Sequence, residues 1–267
     1  MALISLRSNK VLSVFSLVMI NVIAVANLRT LAHSAIFGSS LIFYYVLIAI
    51  LIFFPIAMIT AELATTWPKG GGIYLWVREA FGPKWGFLVI WLQWVYNLAW
   101  YPTILATIAS VLAYLIDPQA TTNPWFVVLV SLIVFWIATI GNFFGMQVSG
   151  WISSICSMVG TIIPMVAIIS LGAWWLLFDN HNSQISLSWN SIIPQIDSLA
   201  DLAWVPTIIF GLMGLEMSAV HVQEVKNPQH DYPASLRYST VIILSTLLIS
   251  SLIVAMVVPG KELNIVT

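Results

Sequence analysis

Long apolar runs separated by short polar or glycine- and proline-rich stretches divide the chain. Residues 41–61, 85–116, 124–140, 151–178 and 239–258 are almost uninterrupted in hydrophobic character. A helix needs about 20 apolar residues to cross the hydrocarbon core of a bilayer, and these five runs are near or above that length. In lipid every backbone polar group needs an internal partner, which leaves helices or closed barrels. The runs lack the every-second-residue alternation of barrel strands, so the pattern predicts helices. The run 85–116 is long enough to tilt or protrude, and Pro102 can kink it.

Two further runs are defective. Residues 11–26 are uniformly apolar but then meet Asn27, Arg29, Thr30 and His33. Residues 202–215 are fewer, carry Pro206, Gly211 and Gly214, and then meet Glu216. Counting both gives seven spans, of which the first and the sixth are interrupted. That spacing is expected of a five-helix repeat whose first member is broken each time, over about 11–178 and then from about 200 to 258. An odd repeat places its second copy upside down, and interrupted spans at matching positions of two halves point to a transport site. The competing reading is a weak first span and a sixth that is merely glycine-rich, since glycine and proline are common in membrane helices. The expected fold class is an all-α membrane protein with about seven transmembrane helices, in a single membrane domain over 1–267.

Composition agrees with lipid exposure. Of 267 residues 60% are hydrophobic and 7% charged, against about a quarter charged in soluble domains, so polar groups are too few to cover a water-facing surface. The net charge of −1 gives no basic face for nucleic acid. Cys156 stands alone, so it forms no intramolecular disulfide, and no Cys/His cluster offers a metal site. The start of the chain, with Arg7 and Lys10, resembles a signal peptide. Its apolar run is longer than the typical h-region of about 7–15 residues, however, and more spans follow, so it reads as a first membrane helix.

Arg7, Lys10, Lys69, Arg78, Lys84, Lys226 and Arg237 all fall on one side if seven spans alternate. The opposite loops hold Asp117, Asp179, Asp197 and Asp201, with no Lys or Arg until Lys261. The expected N-terminus is therefore cytoplasmic. Pro68 and the glycines 70–72 form a break on that side, suited to a flexible turn or close helix packing, and Ile73–Phe81 reads as a short helix at the membrane surface.

Ionisable groups at membrane depth are candidates for function. Glu216, just past Gly211 and Gly214, can receive a substrate ammonium, accept a proton or bond freed backbone amides; at a helix end it would have no role. Arg29 can hold a carboxylate bidentately, snorkel to the interface or pair with an acid. Half-helix N-termini attract carboxylates and free carbonyls attract ammonium groups. The stretches Ala26, Asn27, Leu28, Arg29 and Phe210, Gly211, Leu212, Met213, Gly214 would thus suit a zwitterion. In the third span Gln93, Trp94, Tyr96, Asn97 and Trp100 can line a cavity or form an aromatic belt. Gly82/Gly86 and Gly141/Gly145 fit the spacing for close helix contact. Glu62, near Lys69, reads as structural or as part of a cytoplasmic gate. His221 and Glu224, three apart, can share a helix face; with Asn227 and Pro228 they form a candidate gate or hinge. Asn227-Pro228 and Tyr232-Pro233 are expected to close a helix and set a rigid turn.

The tract from Glu216 through His221, Glu224, Asn227-Pro228 and Asp231 to Tyr232-Pro233 resembles the span-six signature of the amino acid–polyamine–organocation superfamily. The resemblance is strongest to its bacterial glutamate/γ-aminobutyrate antiporter branch. Ala61-Glu62-Leu63-Ala64, the glycines 70–72 with Tyr74 and Trp76, Phe81-Gly82-Pro83 with Trp85-Gly86-Phe87, and Pro259-Gly260 resemble the same branch. The resemblance implies a leucine-transporter-like fold, with helices one and six broken around a central site, in the inner membrane of a bacterium. It implies secondary transport of a small-molecule amino acid by alternating access, with no cofactor. Glu216 matches an acidic position in helix six of the antiporters. Trp94 falls where they carry tyrosine, and Asn27-Leu28-Arg29 departs from the glutamate carriers, so glutamate itself is not carried over. No lysine lies in span five, which leans toward exchange rather than proton symport. Members of the superfamily have about twelve spans in two repeats, so this chain is expected to be a fragment or a truncated product. The alternative functions are a non-transporting remnant or interaction protein and an intramembrane enzyme, and for the enzyme no paired catalytic groups are found. Sidedness is testable: a cysteine replacing Ser5 is expected to escape an impermeant reagent in intact cells, and labelling there would contradict the topology.

Overall fold

The computed structural model describes residues 10–116, 123–178, 182–194 and 205–263. Arg7, Asp117, Asp179, Asp197 and Asp201, whose charges bear on sidedness, lie outside the described residues, as do residues 202–204 of the expected sixth span.

The described elements are helical. Span one is the pair α1 (Val14–Val25) and α2 (Arg29–Ala35), bent by 56° at its break. Then follow α3 (Gly38–Thr66), α4 (Ile73–Phe81), α5 (Pro83–Ile116), α6 (Pro124–Phe143) and α7 (Gln147–Phe178). A single turn, α8 (Trp189–Ile192), precedes the sixth span, which consists of α9 (Val205–Gly211) and a 3₁₀ helix, α10 (Leu215–Glu224). The seventh span is α11 (Pro228–Val257), and α12 (Gly260–Leu263) follows it. Among the described residues six helices are long and apolar enough to cross a membrane, and the bent pair, taken as one span, makes a seventh. The chain is an all-α, multi-pass membrane protein.

Two boundaries differ from expectation. Span six does not stop before Glu216 but continues through Glu224, so His221 and Glu224 belong to the span rather than to a loop after it. Span seven starts at Pro228 instead of 239. Asn227-Pro228 opens a helix here, because proline at the first helical position lacks an N–H that would be unpaired anyway. The Asp231 carboxylate accepts from the Asn227 N–H at 3.2 Å and reinforces that start. Tyr232-Pro233 does not close a helix: Pro233 lies inside α11, near its beginning, where the disruption is confined to the second turn. α5 likewise runs through Pro102 without interruption.

The chain forms two compact units, Met1–Gly72 with Gly150–Thr267, and Ile73–Ser149. In the first unit α11 is the central helix. It packs on α1, α2, α3 and α7, presenting buried Ser235, Ser239, Ser250, Ser251 and Ala255. Small side chains let helices approach closely in lipid, where hydrophobic association between helices is absent. At Gly172 of α7 a side chain would collide with Ile253 of α11. Polar bonds tie the same helices: Asn21 Nδ2 donates to Ser239 Oγ at 3.0 Å, and Ser218 and Tyr232 hydroxyls meet at 2.9 Å.

In the second unit the surface helix α4 turns into α5 at Gly82, whose φ of 94° falls in the left-handed region. A Cβ at Gly86 would lie 2.9 Å from Arg78 Cβ, so Gly86 serves close packing of α5 on α4, whereas Gly82, with nothing within 4 Å of its Cβ position, serves the turn. Nothing approaches Gly141 or Gly145. α6 buries none of its side chains.

Paired helix breaks as the candidate functional site

The first break is built around Asn27. Asparagine competes for backbone partners and so opposes helix continuation. The Asn27 Oδ1 accepts from the Arg29 N–H at 2.9 Å, and its carbonyl accepts from the Thr30 hydroxyl at 2.7 Å and the Thr30 N–H at 3.1 Å. These bonds end α1 at Ala26, which is extended, and start α2 in a new direction.

The second break is built around Gly214. Its φ of 123° lies where glycine is favoured. The Gly214 N–H donates to a Glu216 carboxylate oxygen at 3.3 Å. Glu216 therefore sits in the first turn of α10, where the helix dipole and free amides favour a negative charge. Of the uses expected for this carboxylate, bonding a freed backbone amide is the one the geometry contains.

The two breaks lie against one another. A Cβ at Gly214 would be 3.5 Å from the Ala24 carbonyl oxygen, and one at Gly211 would be 3.5 Å from Thr30 Cγ2. α1 packs on α10 and α2 packs on α9, so the two broken spans cross half against half. Ala26, Asn27, Leu28, Arg29, Phe210, Gly211, Leu212, Met213, Gly214 and Glu216 are thereby gathered in one place. Ala26 and Leu212 are buried. Ile23, Phe210 and Met213 are exposed, as is Arg29, and Glu216 is half-buried. Among the described residues the Arg29 guanidinium has no ion-pair partner.

Trp94 and Asn97 lie on α5 in the other unit. They stand three apart and so share one helix face; Trp94 is exposed, and its ring is tilted against that of Trp91, with ring centroids 5.1 Å apart.

The candidate gate residues lie at the far end of α10. In a 3₁₀ helix positions three apart eclipse, which places His221 and Glu224 on one face. Both are half-buried, and Glu224 Oε2 is buried without a hydrogen-bond partner. The Leu12 N–H donates to the Glu224 carbonyl at 2.9 Å, and the Lys226 N–H donates to the Leu12 carbonyl at 3.4 Å. This bridge clasps the lead-in to span one onto the exit of span six. Glycines 70 and 72 press on the same helix: a Cβ at Gly72 would lie 3.1 Å from Val220, and one at Gly70 would lie 3.2 Å from the Gln223 side chain. Beside the clasp, a cavity of about 370 Å³ is lined by Lys10, Pro68, Gln223, Pro228 and Gln229.

Two residues at the site were not singled out in the sequence. Thr30 makes the contact with Gly211. Asn21 is fully buried on α1 before the break, with its Oδ1 unpaired. A lone amide inside the apolar run 11–26 was the signal for it. Among the described residues no group of His, Cys, Asp or Glu could hold a metal ion.

Seven apolar spans, two of them broken and crossing at their breaks, define a membrane protein of the transporter class. The amino acid permease family model matches residues 10–267, and the chain belongs to that family. It is 51% identical to an uncharacterized transporter of Legionella pneumophila, over 98% of this chain and 56% of the relative. A glutamate/gamma-aminobutyrate antiporter of Lactococcus lactis subsp. cremoris is 31% identical, over 84% of this chain and 45% of the relative. A probable agmatine/putrescine antiporter of Lactococcus lactis subsp. lactis is 25% identical, over 94% and 53%. The family and these relatives are transporters, not enzymes. The chain spans about half the length of the relatives it matches.

The geometry of Gly214 is directly testable. Gly214→Ala is expected to destabilise the purified protein by about 1–3 kcal/mol through backbone strain. Gly141→Ala, in open space, is expected to leave the melting temperature unchanged, and equal effects of the two would contradict the strained break.

Proposed function

We propose that the paired breaks bind an amino acid and that the protein moves it across the membrane by exchange through alternating access. The observation that carries this reading is the packing of the two broken spans half against half, with the Ala24 carbonyl oxygen 3.5 Å from where a Cβ at Gly214 would stand. In this reading, amides at the start of one half-helix and carbonyls at the end of another supply the two kinds of partner. A zwitterion needs both.

The charged side chains support an amino acid over a polyamine. Arg29, unpaired and exposed, suits a carboxylate, which it can engage in a bidentate manner. Glu216, held beside Gly214, suits an ammonium. A diamine such as putrescine carries no carboxylate and would bring a second positive charge toward Arg29. In this reading the chain forms one membrane domain of a leucine-transporter-like fold. Residues from about 200 begin the inverted second repeat, and the protein lies in a bacterial inner membrane with its N-terminus in the cytoplasm. Trp94 and Asn97 complete the substrate's surroundings, and His221, Glu224, Asn227 and Pro228 serve the cytoplasmic gate.

Counterflow tests the proposal. Vesicles holding the chain are preloaded with one unlabelled amino acid at a time and offered the labelled form, with a full-length antiporter relative as control. Uptake that depends on an amino acid preload, and not on putrescine, is the expected result. No uptake beside a working control, or a preference for putrescine, would contradict it. Glu216→Ala is expected to abolish amino acid binding while leaving membrane insertion intact; a normal binding isotherm for that variant would remove Glu216 from the site.

A further inference from the structure

A groove of about 600 Å³ opens between α3 and α11, and it shares no residue with the paired breaks. Most of its wall is apolar, including Phe54, Met58 and Ala61 from α3 and Leu236 and Val241 from α11. Five polar residues interrupt that wall: Glu62, Thr65, Gln229, Arg237 and Thr240, of which Thr65 spends its hydroxyl on the Ala61 and Glu62 carbonyls of its own helix. Among the described residues neither the Glu62 carboxylate nor the Arg237 guanidinium has an ion-pair partner, although both line the same groove. Thr240 is 2% exposed, and its hydroxyl has no hydrogen-bond partner.

The depth of these groups follows from the helices. α11 has 30 residues and so extends about 45 Å, more than the roughly 30 Å of hydrocarbon. Its polar part ends near Arg237 and its strongly apolar part begins near Val241, so Arg237 marks the water-facing edge of the bilayer. Glu62 stands about one turn before the end of α3 at Thr66. The charge distribution puts these two helix ends on the same side of the membrane. Thr240 lies about one turn deeper than Arg237. A cation and an anion thus flank the groove at headgroup level, a buried hydroxyl follows at the level of a glycerol ester, and an apolar slot continues inward.

We propose that this groove binds a bilayer phospholipid with a primary-ammonium headgroup, phosphatidylethanolamine. Arg237 takes the phosphate, for which a guanidinium has matched geometry. Glu62 accepts from the ammonium, the Thr240 hydroxyl donates to an ester carbonyl, and one acyl chain lies along Phe54, Met58 and Val241. Phosphatidylglycerol offers Glu62 no cation, and the quaternary ammonium of phosphatidylcholine has no N–H to donate. The inference stands apart from the transport reading.

The full chain, purified in detergent, is mixed with phosphatidylethanolamine, phosphatidylglycerol and phosphatidylcholine of identical acyl chains. Bound lipid is read by native mass spectrometry and stability by thermal unfolding. Phosphatidylethanolamine is expected to be retained about fivefold over the other two, a ratio of the size of one exposed ion pair, and to raise the melting temperature. Glu62→Gln is expected to equalise ethanolamine and glycerol headgroups, and Arg237→Gln to lower retention of all three. Neither variant should shift the melting temperature without lipid, because both side chains are unpaired. Equal retention of all lipids by the unaltered chain would overturn the proposal. So would retention indifferent to both variants. Failure to retain any lipid would overturn it as well, and would leave the groove to a protein segment.

Discussion

A backbone interrupted inside a membrane has to find partners within the protein, because lipid supplies none. That constraint explains the first unit. The first half of span one ends at Ala26 and the first half of span six at Gly211, and each break frees amides and carbonyls that a continuous helix would have paired. Asn27 and Glu216 satisfy some of them locally, at 2.9 Å to the Arg29 amide and 3.3 Å to the Gly214 amide. Turn bonds within span six take others, from the Leu212 N–H to the Ile209 carbonyl and from the Met213 N–H to the Phe210 carbonyl. Gly214 is required for its φ of 123°, which other residues resist. The surrounding helices are arranged around the crossing of the two broken spans, with the small-residue face of α11 packed against span one and α7.

Much of this was legible in the residues. Apolar length alone placed the spans, and the glycines, Asn27 and Glu216 marked which two were broken. The motifs from Glu216 to Pro233 and from Ala61 to Phe87 carried the family, which the match over residues 10–267 bears out. The limits of spans six and seven were not legible. The stretch His221 to Pro233 is rich in polar residues and prolines, which in isolation reads as a loop. Its helical course depends on tertiary support: the Leu12 clasp on Glu224, the press of Gly72 on Val220, and the Ser218–Tyr232 bond. Proline at a helix start and proline after a helix end are identical in a local window, and only the packing of the first turn of α11 separates them.

The site was legible as two stretches, not as a place. Sequence spacing does not show that Thr30 meets Gly211 or that α1 lies on α10. Nor does it show which members are buried: Ala26 and Leu212 are, whereas Arg29, Phe210 and Met213 are exposed. The clasp of Leu12 on Glu224 and Lys226 ties the lead-in of one broken span to the exit of the other, a long-range bond that no local window reveals.

The central claim, that a ligand sits between the two breaks, is tested most directly by protection from cysteine labelling. Cys156 is exposed and is first replaced by serine. Single cysteines are then placed at Ala24, at Met213 and, as a remote control, at Leu171, all on exposed positions. A transported amino acid is predicted to slow labelling at both Ala24→Cys and Met213→Cys and to leave Leu171→Cys unchanged. Labelling rates at positions 24 and 213 that ignore every amino acid offered would contradict the account.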